Sequence, residues 1–185
     1  APDPLGIEDP IDSVQGYISP ECTSPEQDLN FPNYWAGPSF DGLSVSAVIR
    51  RCDMADEGER TRANFVAYLY GDCLAGDDAG CTVPIEVQTW PIQERNRQMY
   101  SSGPTELRAP VTHTTFNGYP AIRVENRLEI FYGDVTIAVF GGDQARIDRF
   151  AQALVQGPVV LAELAEYGIT FTPSCPDDLL YCEAS

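Results

Sequence analysis

Apolar and polar residues alternate with a period of two over Leu43, Val45, Ala47 and Ile49, the signature of a half-buried strand. Phe65 to Tyr70 is rich in aromatic and branched residues and predicts a second strand, and Val83 to Trp90 a third. Pro91 suits a first helical position, so Ile92 to Tyr100 reads as a short helix. Thr105 to Thr115 adds a strand. Ala121 to Glu125, Leu128 to Tyr132 and Val135 to Phe140 then form a meander. Its turns are Glu125-Asn126 and Gly133-Asp134, and glycine at the first place of a two-residue loop favours type II′. Asp143 is placed to cap a helix in which Ile147, Phe150, Ala151 and Leu154 recur at i, i+3, i+4 and i+7, with Gly157-Pro158 ending it.

Tyr70-Gly71-Asp72 and Tyr132-Gly133-Asp134 each close a strand that is followed by a further strand and a helix. The repetition reads as an internal duplication of a strand–strand–helix unit; the alternative is coincidence, since Tyr-Gly-Asp is a common way to leave a strand. The expected fold is α+β: an antiparallel sheet with two helices on one face. Residues 1–33 and 158–185 lack sustained periodicity and read as a Pro-rich acidic N-terminal arm and a C-terminal arm around a core domain of 34–157.

Composition changes the picture in two ways. The eleven basic residues are all arginine and face 28 carboxylates, for a formal charge of −17. No basic stripe is available for phosphates, which argues against nucleic acid, and the same balance argues against anionic membrane surfaces. No apolar run is long enough for a transmembrane helix. The six cysteines predict disulfides and an oxidising, extracytoplasmic compartment, secreted or associated with the cell envelope. The opening Ala-Pro-Asp-Pro suits a chain from which a signal peptide has been removed. Proximity pairs Cys73 with Cys81 and Cys175 with Cys182, and elimination leaves Cys22 with Cys52; other connectivities remain open. Zinc is disfavoured by the lack of any Cys-x-x-Cys and by the distance in sequence of the sole histidine, His113.

Absences narrow the chemistry further. Without lysine there is no Schiff-base enzyme and no P-loop. A nucleophilic triad would have to use His113, which sits among threonines and reads as a surface or hydrogen-bonded structural residue. Glu86, Glu125 and Glu129 are the candidate carboxylates for a hydrolase, although charges alternating with apolar residues on a strand normally face water. Calcium is the metal with a claim, through Asp72, Asp77 and Asp78 in the 71–80 loop; the plain alternative is a Gly/Asp hairpin tip. No other cofactor is expected. Of the aromatics, Trp90 and Tyr132 read as core, while Tyr34 and Trp35, where the arm meets the domain, are candidates for a binding surface.

The stretch NGYPAIRVENRLEIFYGDVTIAVFGGDQARIDRFAQALVQG, from Asn117 to Gly157, resembles the closing half of uncharacterised exported domains of high-GC Gram-positive (actinobacterial) bacteria. YGDCLAGDDAGCTVPIEVQTWP resembles the same group. The resemblance covers about a third of the chain; it implies export and a small α+β fold, and carries no activity or functional residue. The arms, atypical of that group, point to a non-catalytic accessory or structural subunit that packs against other protein subunits in an envelope-associated or extracellular assembly. The alternatives are a stand-alone secreted binding module for a small ligand, Ca2+ or a peptide, and a carboxylate-dependent hydrolase.

Overall fold

A computed structural model describes residues 14–18, 31–51, 65–72, 83–91, 111–158, 161–169 and 171–173. They form strands β1 (Val14–Ile18), β2 (Tyr34–Trp35), β3 (Ser39–Phe40), β4 (Leu43–Arg51), β5 (Phe65–Tyr70), β6 (Ile85–Pro91), β7 (Val111–Phe116), β8 (Tyr119–Val124), β9 (Arg127–Tyr132), β10 (Val135–Gly141), β11 (Val155–Gln156) and β12 (Phe171–Pro173). Helix α1 spans Gln144–Gln152, and a 3-10 helix spans Leu161–Tyr167.

One sheet runs β12-β1-β4-β5-β6-β10-β9-β8-β7, with β3 beside β4; β2 and β11 make a separate ribbon. The sheet is antiparallel except at one end, where β1 runs parallel to both β4 and β12. Those two strands come from the stretches read above as arms, so part of each arm belongs to the sheet. Sheet and helix agree with a mainly antiparallel α+β fold. The second helix does not follow: α1 is the one α-helix among the described residues, and the segment expected to supply the other, 92–100, lies outside them.

At β5 both faces of the sheet are covered: all six of its residues are buried, and its sequence is a continuous apolar run. On one face Tyr68, Tyr70, Val87, Leu128 and Val139 pack with Trp35 and with Ile147, Phe150 and Ala151 of α1. Phe150 meets the rings of Tyr70 and Phe40 edge-on, each 5.0 Å away. On the other face Ala47, Ile49, Phe65, Ala67 and Leu69 form a smaller cluster against Val83 and Trp90.

The local chemistry of α1 follows its sequence at the start and departs from it at the end. Asp143, with extended backbone, accepts the Ala145 N–H at 2.9 Å as the N-cap. The helix closes at Gln152, short of Gly157-Pro158, because the next residues have stronger partners: Val155 and Gln156 pair with Trp35 and Tyr34, and Gly157 gives its N–H to the Asn33 carbonyl at 2.8 Å. Leu154 still packs on the core from outside the helix.

Residues 31–37 cross the helix face as a strap. The Tyr34 N–H donates to Thr89 Oγ1 (3.0 Å), and the Ala36 N–H to the Tyr70 hydroxyl (3.0 Å), which donates to the Gly37 carbonyl (2.7 Å). Buried Asn33 accepts from the Tyr68 hydroxyl (2.7 Å) and donates to the Pro158 carbonyl (2.6 Å). The Asn33 amide and the Tyr34 and Ala36 N–H groups thereby meet a sheet hydroxyl or a backbone carbonyl, as burial requires.

Candidate functional site

Beyond the last turn of α1 the sheet continues to β8 and β7, and the helix does not follow it. The step leaves a cleft of about 220 Å³. Ile130, Ile137, Ala151 and Leu154 line it with aliphatic surface, and Tyr34, Phe116, Tyr119 and Tyr132 wall it with aromatic rings. Register brings the walls together. Asn117 and Gly118, with φ of 49° and 83°, make a two-residue turn of the type I′ kind, so Phe116 and Tyr119 stand opposite each other. Tyr132 faces Val135 across the Gly133-Asp134 turn, where Gly133 has the positive φ of 57° expected of its place. The strap supplies Tyr34.

The rings are in contact. Tyr119 lies 4.3 Å from Tyr132, and Tyr34 meets Tyr132 edge-on at 5.3 Å. Burial, then the neighbouring Tyr132 and Tyr119, push the Tyr34 phenol above its ordinary range; Tyr119 is raised chiefly by its hydrogen bond with Tyr132. Both therefore stay protonated at neutral pH and offer hydroxyls as donors and acceptors at an otherwise apolar site. At the rim the Asn117 and Gln152 amides exchange two long contacts of 3.4 Å, joining the hairpin tip to the helix end. Asn117 is the single non-aromatic polar residue of the lining, which includes no carboxylate, imidazole or thiol.

The residues singled out from sequence are dispersed. Tyr34 reaches the cleft, but its neighbour Trp35, 1 % exposed, belongs to the core, with Tyr68 and Tyr167 at 5.2 and 5.0 Å. Tyr132 is half-buried as a cleft wall; Trp90 stacks on Phe65 at 4.6 Å. Asp72 is exposed just after β5, whereas Asp77, Asp78 and all six cysteines lie outside the described residues. His113 is exposed on β7.

The carboxylates correct an expectation. Glu86 and Glu129 do not face water: they are 7 % and 6 % exposed, because the second face of the sheet is covered as well as the first. Glu86 Oε1 accepts from Gln88 Nε2 at 2.6 Å, and Gln88 Oε1 accepts from Trp90 Nε1 at 3.0 Å. Burial raises the Glu86 carboxyl above the usual range, against a smaller opposing effect of the Gln88 bond. Glu129 pairs with Arg127 Nε at 3.0 Å. Glu125 is exposed in its turn with φ of 50°.

Phe116, Asn117 and the aliphatic residues of the cleft are not marked by sequence reasoning. The available signal is Asn117-Gly118, a strong hairpin dipeptide, flanked by two aromatics. Compared with known protein families, curated proteins and solved structures, the chain matches none.

Proposed function

We propose that the protein is a non-catalytic, exported binding domain whose cleft takes one aromatic or branched apolar group carrying a hydroxyl, amine or carbonyl. The observation that carries this reading is the convergence of Tyr34, Tyr119 and Tyr132 over an aliphatic lining. The aromatic rings offer contact area at small entropic cost, and their hydroxyls orient whatever enters. At about 220 Å³ the space suits a single ring system or one side chain of a larger ligand. Export is supported by the six cysteines.

An assembly subunit, the reading that sequence favours, would carry its contacts on the terminal arms, most of which lie outside the described residues; the cleft belongs to the core. The two strand pairs also support descent from one repeated unit. They share a register, with Tyr70 opposite Ile85 and Tyr132 opposite Val135, although residues 71–84 separate one pair and only 133–134 the other.

Indole and phenol are suitable probes. Titrated into the whole chain, each should shift the NMR signals of Tyr34, Tyr119 and Tyr132 and saturate at about millimolar concentration, as suits ligands of so few atoms. Tyr132→Ala should abolish the shifts while leaving the far-UV spectrum unchanged. Shifts spread evenly over the surface, or none, would defeat the proposal.

A further inference from the structure

The sheet order ends at β7, and among the described residues no strand pairs with its outer side. Exposed edges in natural proteins are usually blunted by charge, proline or a bulge. β7 has none of these. Its sequence is Val-Thr-His-Thr-Thr-Phe, and its pairing with β8 runs without a break from Val111↔Val124 to Phe116↔Tyr119.

The phase of that pairing identifies the groups on the open side. The residues flanking a two-residue turn form a hydrogen-bonded pair, so Phe116, Thr114 and Thr112 direct their backbone groups to β8. Val111, His113 and Thr115 direct theirs outward. Pro120 corroborates this: lacking an N–H, it sits opposite Thr115 without disturbing the β7–β8 ladder, while the β8–β9 ladder begins only at Ala121. The side chains of Thr112, His113 and Thr115 are exposed.

Charge selects the occupant. Residues 107–124, which contain the whole β7–β8 hairpin, form the longest stretch of the chain without a carboxylate, 18 residues against a total of 28 carboxylates elsewhere. For a molecule of charge −17, this is where a second equally acidic molecule meets least local repulsion.

We infer that β7 is a self-association edge, at which two copies of this chain pair antiparallel about a two-fold axis at His113. Centring on His113 brings all three outward residues into register at once. His113 faces His113 of the second copy, and Val111 faces Thr115 in both directions, which gives about six backbone hydrogen bonds. Between them Thr112 faces Thr114 twice, a favourable cross-strand pair. The interface is small, so the dimer exchanges with monomer rather than being permanent. It is independent of the cleft: neither proposal requires the other.

Sedimentation equilibrium of the whole, unreduced chain over a hundredfold concentration range tests it, together with amide exchange at both ends of that range. The expected result is a mean mass rising from 20.3 kDa toward twice that value, with exchange at Val111, His113 and Thr115 slowing as it rises. His113→Arg sets two fixed charges face to face and should weaken the dimer at least tenfold; His113→Thr should keep it. Near-UV and far-UV circular dichroism confirm that both variants are folded. A mass of one chain throughout overturns the inference. So does a dimer indifferent to His113→Arg, or protection of the three amides already in the dilute monomer, which would mean that the chain covers its own edge.

Discussion

Gly157 illustrates how much a single position carries. A Cβ there would collide with the Asn33 side-chain oxygen and crowd the Tyr68 hydroxyl at 3.2 Å, and neither neighbour is free to give way, being hydrogen-bonded to the other. Gly157→Ala should therefore cost about 1–3 kcal/mol, the range for overpacking a tight site, read as a lower denaturant midpoint at unchanged slope. Glu86 is the opposite case, a residue whose ionised form opposes the fold. Its carboxyl is raised by burial, so between the ordinary glutamate pKa and its own the folded state holds the extra proton, and stability falls as pH rises. Glu86→Gln keeps an acceptor for Gln88 and removes the ionisable group. The variant should melt above the wild type at pH 7, and the two should converge on acidification toward about pH 4, where glutamate is protonated in the unfolded chain too. Parallel melting curves at both pH values would refute the assignment.

At the scale of elements, α1 and the β7–β8 hairpin together make the cleft, and each depends on a terminus signal. Asp143→Ala removes the cap and should destabilise by about 1 kcal/mol. Because Ala151 lines the cleft, the same substitution should also weaken indole binding; stability loss with unchanged binding would separate the helix from the site. These elements were legible in different degrees. Period-two alternation marks β4 as a strand but not as a half-buried one: a register shift between Val45 and Ala47 sends Ala47 and Ile49 to the face opposite Val45, and residues 47–50 are all buried. The aromatic and branched run marks β5, and the capping residue with the i, i+3, i+4 spacing marks α1. The end of α1 was not legible, because competition from Asn33 and Trp35, more than a hundred residues earlier, decides it. Nor were β1 and β12, short segments that pair in parallel through contacts distant in sequence. The burial of Glu86 and Glu129 escaped for a related reason: alternation shows that two faces differ and cannot show that both are covered.

For the whole molecule, surface pairs tie the layers without holding them. Arg123 meets Asp148 at 2.6 Å, and Arg146 and Arg149 share Asp41 at 3.6 and 3.3 Å, all partly exposed and each of small energetic weight. The strap is different in kind. Asn33 binds Pro158 across 125 residues of sequence, and Trp35 is buried against Tyr68 and Tyr167. Contacts of that separation require a large loop to close before they contribute, and they set folding late. During synthesis the helix face of the first half of this protein has the strap over it but is not closed until α1 and the residues after it, in the last quarter of the chain, have arrived. Truncation ahead of Pro158 would leave α1 over Tyr70 but take Pro158 from Asn33 and Tyr167 from Trp35, a chain complete in most of its strands and still open beside the strap.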